Sequence, residues 1–212
     1  MRVVKFGGSS LATGTSVNQA LEIILADPSR QVMVVSAPGK RNSSDIKVTD
    51  LLIKYAKTVL NHQNCSKIVD EIYSRYQEIG YFFGLDETQL NIIKDILLSL
   101  PEFSYPTDDY LIAAFKAHGE RLNARVIAMI LNQKGIKTKY LDPHEAGLTV
   151  TGEPNDAIVS PETYLNLDKI KIDSDEHIIF PGFFGITPSG HIATFSRGGS
   201  DITGAILAKG LH

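Results

Sequence analysis

Lys5 stands at the end of an apolar run, VVKF, immediately before Gly7, Gly8 and the hydroxyls of Ser9 and Ser10. A cation beside two glycines and two hydroxyls suits an anion. Glycine lets the backbone turn tightly and approach a ligand closely. A helix starting just beyond would add free N–H groups and the positive end of its dipole. The spacing is not that of a Walker A loop, where the lysine follows the glycines, and no G-x-G-x-x-G is present. Near the other end, FSRGGSDIT repeats the grammar, with Arg197, Ser200 and Asp201 around a second Gly-Gly. Between the two lie VVSAPGK with Ser36, KVTD with Thr49, HGERLNA with Glu120 and PGFFG with Phe183. Taken singly, these residues have ordinary readings. Lys5 is a solvated strand end, Glu120 a helix-surface acid, Thr49 a helix N-cap, Phe183 a core ring, and Arg197 with Asp201 an i,i+4 surface pair.

The elements that must position them alternate between strand and helix. RVVKF predicts a strand, followed by a helix over about 15–25. QVMVVSAPG predicts a buried strand ending in a Pro-Gly loop, and Thr49-Asp50 are expected to cap the helix VTDLLIKYAKTVL. KIVDEIYSRYQEIGYFF and ETQLNIIKDILLSL read as further helices, and DYLIAAFKAHGERLNARVIAMILNQKG as a helix interrupted at Gly119-Glu120. GIKTKYLD is read as a third strand and EHIIFPGFFGI as a fourth, turned by TPSG into a hairpin with HIATF. This alternation predicts an α/β fold: a largely parallel central sheet with helices on both faces, a three-layer αβα sandwich. Ligands of such sheets lie beyond the carboxyl ends of the strands, which gathers KFGGSS, VVSAPGK, PGFFG and FSRGGSD along one edge. The domain reading is one unit over 1–212, with a helical insertion at about 50–134.

Composition narrows the function classes. The 212 residues can bury a sizeable core, and hydrophobic and charged contents of 43% and 21% are those of a globular protein. A net charge of −3 without a basic block argues against nucleic acid as partner. No apolar stretch approaches the length of a membrane span. The start runs straight into a strand, read as the absence of a signal peptide, and the lone Cys65 excludes an intramolecular disulfide. A cytoplasmic location is therefore expected. His62, His118, His144, His177, His191 and His212 are scattered without metal-ligand spacing, so no metal site is expected. The charges of DEIYSRY and DPHEAG are read as solvated faces, and the polar KRNSSDIKVTD stretch as a mobile loop.

In order and spacing, VVKFGGSSL, VVSAPGK, HGERLNA, PGFFG and FSRGGSDIT resemble the amino-acid kinase family, and within it the aspartate kinases, from the first residue to the last. The resemblance implies transfer of the γ-phosphoryl group of MgATP to the side-chain carboxylate of L-aspartate. Such an acceptor is already ionised at neutral pH, so charge neutralisation and alignment are what the reaction needs. It also implies roles. Lys5 neutralises the transferred phosphate beside Gly7, Gly8 and Ser9, and Asp201 holds that lysine. Arg197 grips the substrate α-carboxylate as a planar fork, and Glu120 meets its ammonium. Ser36, Thr49 and Ser200 donate hydroxyls, and Phe183 walls the pocket. ATP with Mg²⁺ is the expected cosubstrate, and a homo-oligomer the expected assembly.

In the family, most nucleotide contacts follow the RGGSD helix, in a TD-containing strand and beyond, so the 212 residues alone are expected to be inactive. Two other readings stand beside this one: a non-catalytic amino-acid-binding module, and a related kinase for another acidic substrate. Lys5 with Asp201 favours the enzyme, because a pure binding module needs no phosphate lysine. Glu120 favours a substrate with a free ammonium.

Overall fold

The computed structural model describes residues 1–211; His212 lies outside the described residues. The chain runs β1 (Val3–Phe6), a 3-10 turn (Gly8–Leu11), α1 (Gly14–Leu25), β2 (Val32–Val35), α2 (Val48–Leu60), α3 (Ser66–Phe82) and α4 (Glu87–Ser99). It continues with α5 (Asp108–Gln133), β3 (Thr138–Tyr140), β4 (Val150–Glu153), β5 (Asp156–Val159) and α6 (Glu162–Leu167). The last elements are β6 (His177–Pro181), β7 (Phe184–Ile186), β8 (Ile192–Thr194) and α7 (Gly199–Gly210).

The central sheet has the order β1-β2-β6-β3 and every pairing in it is parallel. Its inner strands are apolar on both sides, because both faces are covered. On β2, Met33 and Val35 enter a core with α1, α2, α3 and α5, while Val32 and Val34 enter a second core with α6 and α7. On β6, Ile179 joins the first core, and Ile178 and Phe180 the second. The three-layer α/β architecture predicted from the alternation is thus present. Helices α3 and α4 lie against each other, and α3 also packs on α1, α2 and α5, so the first layer is two helices deep.

Several local expectations are corrected. Helix α5 is unbroken over 26 residues. A mid-helix glycine costs about 1 kcal/mol relative to alanine, but Gly119 lies where a Cβ would sit 2.7 Å from the Ala37 Cβ. The helix can therefore press against the chain leaving β2, and Tyr76 on α3 donates to the Gly119 carbonyl at 3.0 Å. EHIIFPGFFGI is two strands, because Phe183 adopts φ 82° and turns the chain out of the sheet. β7 then pairs antiparallel with β8, away from the central sheet. The second Gly-Gly corner accordingly follows a hairpin and shares no sheet with the first. The β4–β5 hairpin and α6 were not anticipated.

Candidate active site

The carboxyl ends of β1, β2 and β6 open together. The Ser36 N–H donates to the Phe6 carbonyl at 3.2 Å, and the Gly182 N–H to that of Val35 at 3.0 Å. These bonds place the three exits side by side, with the start of α7 beyond. A cleft of about 520 Å³ lies over this edge, lined by Lys5, Ser36, Thr49, Glu120, Phe183, Arg197, Ser200 and Asp201 among others. Residues scattered over some 200 positions thus meet in one place.

Lys5 Nζ lies 2.9 Å from Asp201 Oδ1, joining the end of β1 to the first turn of α7. With Asp201 two-thirds exposed, the pair contributes little to stability, and its consequence is positional. The ordinary i,i+4 reading of Arg197 with Asp201 does not hold: Asp201 faces Lys5, and Arg197 stands exposed at the cleft with no ion pair among the described residues. Ser36 Oγ donates to Ser200 Oγ at 3.0 Å, so β2 and α7 share a hydroxyl pair. Asn123 Nδ2 donates to the Ser36 carbonyl at 2.8 Å and fixes that exit against α5. The Phe183 N–H donates to Thr203 Oγ1 at 3.0 Å, tying the strained turn to α7.

Glu120 is 5% exposed, and its Oε2 has no hydrogen-bond partner. Burial pushes its carboxyl up to about 8, against the opposing pull of backbone hydrogen bonds at Ala37 and Glu120 and the charges of Lys116 and Lys5. It is not a helix-surface acid. A buried carboxyl with an unmet oxygen facing a cleft is a receptor for a donor or a cation. Lys116, one turn earlier, was not singled out from sequence. Its Nζ sits 5.3 Å over the Phe183 ring, and burial lowers its pKa, partly opposed by Glu120 and Asp109. Its i,i+4 spacing to Glu120 was the available signal.

A recess of about 450 Å³ adjoins the cleft and shares Ser36, Lys47, Thr49 and Glu120 with it. Gly8 and Ser9 line this recess together with Lys40; Gly7 lines neither space. The Gly39 N–H donates to the Gly8 carbonyl at 2.8 Å, and a Cβ on Gly8 would stand 2.9 Å from the Ala37 carbonyl. The second glycine of the opening motif is needed for this close approach. No helix N-terminus follows directly. The 3-10 turn intervenes, and α1 begins under a Thr13–Ser16 capping box that occupies the N–H groups of Thr13 and Ser16.

Thr49 does not cap α2. The N-cap is Lys47, and Thr49 sits in the first turn with its side chain at both spaces. The preceding polar loop is anchored, contrary to its composition. Arg75 of α3, 2% exposed, donates to the carbonyls of Gly39 at 2.7 Å and Ile46 at 2.9 Å and meets Asp45 at 3.1 Å. Arg41 bridges Asp45 and Glu78 from outside, holding the Asp45 carboxyl well below its usual range. The DEIYSRY charges therefore include a buried clamp and are not all a solvated face. Asn155, in the turn of the unanticipated β4–β5 hairpin, also lines the cleft and carries a buried Oδ1 with no partner. The turn-forming run Gly152-Glu153-Pro154-Asn155-Asp156 ahead of AIV was its signal. No group of three or more His, Cys, Asp or Glu residues among those described could hold a metal ion.

A parallel α/β sandwich with a lysine–aspartate pair and an orphaned buried glutamate at its strand ends defines the class. The chain belongs to the amino acid kinase family, whose sequence model matches residues 1–212. It is 45% identical over its whole length to aspartokinase 3 of Bacillus subtilis and covers 46% of that protein. It is 25% identical to the lysine-sensitive aspartokinase 3 of Escherichia coli, again covering 46% of it. Among solved structures, an aspartate kinase from Clostridium acetobutylicum superposes with a TM-score of 0.78 at 30% identity, over 99% of this chain and 45% of that one. Escherichia coli aspartokinase III, at 22% identity, has the same fold with a TM-score of 0.80. The chain spans less than half the length of these relatives. No helix among the described residues is long and apolar enough to cross a membrane.

Proposed function

We propose that these residues form the acceptor-substrate half of an aspartate kinase, which transfers the γ-phosphoryl group of MgATP to the side-chain carboxylate of L-aspartate. The observation that carries the reading is the Lys5–Asp201 pair on the same cleft as the unmet oxygen of Glu120. In this reading the first serves a phosphate and the second an ammonium, and the aspartokinase relatives support an aspartate kinase as the whole protein.

In this reading L-aspartate enters with its ammonium on Glu120 and its α-carboxylate on the Arg197 fork. The hydroxyls of Ser36, Thr49 and Ser200 orient the two carboxylates, and Phe183 closes the apolar side. The side-chain carboxylate is a nucleophile without loss of a proton. Its oxygen attacks the γ-phosphorus as the bond to the bridging oxygen of ADP breaks. Charge then builds on the phosphoryl oxygens and the leaving group. Lys5, held by Asp201, neutralises the transferring group, and the backbone at Gly8 and Ser9, on the adjoining recess, faces the phosphates. Mg²⁺ comes with the nucleotide as part of the substrate. Adenosine contacts would come from sequence beyond the cleft residues named here.

A carboxyl that is mostly protonated near neutral pH when the cleft is empty changes state on binding. An ammonium at Glu120 favours its carboxylate, so binding releases a proton into solution. A cytoplasmic location and self-association complete the proposal. The unpaired outer edges of β1 and β3 support the latter.

The test of the phosphate role is Lys5→Ala, assayed for ADP release in a polypeptide that also supplies the nucleotide half. Turnover should fall by roughly 10² or more, the order lost with one electrostatic contact in a preorganised site, with little change in the KM for aspartate. Turnover near that of the unmodified enzyme would return Lys5 to a solvated strand end.

A further inference from the structure

We propose that a second cleft, on the opposite side of α5 and sharing no lining residue with the first, binds a small organic anion with an apolar body through the guanidinium of Arg125. This cleft, of about 480 Å³, lies between α5, the segment joining α4 to α5, the loop after β3 and the β7–β8 hairpin. That volume is within the range of small-molecule sites.

Two arginines one helical turn apart line it, and their situations differ. Arg121 is committed: its Nε and Nη2 donate to the two oxygens of Asp142 at 2.9 and 3.0 Å, and its Nη1 lies 3.3 Å from His118 Nε2. Asp142 is committed in turn, accepting also from the Tyr140 hydroxyl and from the His144 N–H at 3.0 Å. The Arg121 guanidinium beside it holds the Asp142 carboxyl below its usual range despite burial. Asp142 is 6% exposed, so DPHEAG is not wholly a solvated face.

Arg125 has none of this. Among the described residues it makes no ion pair or hydrogen bond, its Nε is buried without an acceptor, and the Tyr140 ring lies 4.3 Å from the guanidinium carbon. Stacking fixes the plane of the fork and leaves its buried Nε without an acceptor. An unmet buried donor is a cost that an arriving acceptor removes. Two further groups at the cleft bear on its charge. His118, hydrogen-bonded through Nδ1 to the Ala114 carbonyl at 2.7 Å, is held neutral by burial, so it adds no second cation. Glu145 is exposed at the rim, where water screens it. The uncompensated permanent charge at the cleft is therefore one guanidinium, half-buried and with its Nε closed off from water, the partner of one carboxylate or phosphate group. Around it, Ile96, Phe103, Tyr105, Ile186 and Ile192 offer an apolar wall, and Phe103 is left 60% exposed. The ligand is thus amphipathic, an anionic head on an apolar body.

The experiment is a ¹H–¹⁵N NMR titration of the 212-residue chain, following the Arg125 Nε–H correlation and the amides of 118–125 and 142–145. The probes are benzoate, phenyl phosphate, inorganic phosphate and, as the neutral isostere, benzamide. Saturable shifts at these signals are expected with benzoate or phenyl phosphate, at a Kd on the order of 1 mM or below. Which of the two binds more tightly identifies a carboxylate or a phosphate head. Benzamide should bind at least roughly tenfold more weakly, having lost the charged hydrogen bonds. Arg125→Gln should lose roughly tenfold in benzoate or phenyl phosphate affinity, whereas Arg197→Lys should leave it unchanged. If Arg125→Gln does not fold, Arg125→Lys, which keeps the charge and loses the fork, should weaken binding in its place. Equal binding of benzamide, undiminished binding by a folded Arg125 variant, or no saturable shift with either aromatic anion would each overturn the proposal. Shifts confined to the Lys5 and Arg197 side would overturn it as well.

Discussion

Replacing Glu120 with glutamine removes an ionisation that the empty cleft opposes. Burial raises the carboxyl from 4.5 to about 8. At about 1.4 kcal/mol per pH unit, the charged form costs the ligand-free fold about 5 kcal/mol in full. Because the folded value lies above the unfolded one, the neutral carboxyl's contribution is fully present below pH 4.5 and is lost as pH rises through 8. On this account Glu120 alone makes the chain about 3 kcal/mol less stable at pH 7 than at pH 4.5, and about 4 kcal/mol less stable by pH 9. Glu120→Gln keeps the shape of the neutral acid and cannot ionise. Urea unfolding from pH 4.5 to 9 should therefore give curves that agree within about 1 kcal/mol at the acid end. They should then diverge by several kcal/mol in favour of the variant as pH rises. All other titrating groups are common to both proteins and cancel. Parallel stability profiles would refute the reasoning and return Glu120 to a solvated acid.

Three further outcomes follow from the geometry. Arg197→Lys keeps the charge and loses the fork, so aspartate affinity measured by calorimetry should fall roughly tenfold, with the urea midpoint unchanged because Arg197 is exposed. Arg75→Met leaves two carbonyls and Asp45 without their buried partner. It should cost about 3 kcal/mol in urea unfolding, the lower end for a broken buried pair, since Arg41 still holds Asp45. Gly119→Ala gains about 1 kcal/mol of helix propensity but places a Cβ 2.7 Å from that of Ala37. Overpacking of that kind costs about 1–3 kcal/mol, so the midpoint should fall or at best stay level, and a clear rise would contradict the close approach.

Strand and helix periodicity carried the architecture in the sequence because both faces of the sheet are covered. Val32–Val35 is a continuous apolar run, and α3 shows its buried residues at helical spacing. What stayed hidden depended on partners far along the chain. Gly119 looks like a break until Ala37 is placed against it, and Phe183 looks like mid-strand until its φ of 82° is seen. Arg75 and Asp142 sit in polar runs that read as solvent-facing, and only tertiary contacts reveal that each is buried with its ion partner. At the cleft the motif residues were legible as a set, with Lys5, Glu120, Arg197 and Asp201 on one cleft. Lys116, Lys47 and Asn155 were not, because each comes from an element whose facing could not be fixed from local sequence. The second corner supplied its residues as expected although its strand belongs to another sheet, since α7, anchored on β1 and β2, carries the serine and aspartate inward.

The claim at the centre of the account is that the cleft recognises a free amino acid by its ammonium at Glu120 and its carboxylate at Arg197. Calorimetric titration of L-aspartate into the 212-residue chain at pH 7, in two buffers of different ionisation enthalpy, tests it most directly. The account predicts one site, release of about one proton per ligand, and binding of N-acetyl-L-aspartate weaker by at least roughly tenfold. Equal affinity for the acetylated ligand, with no proton released, would contradict it.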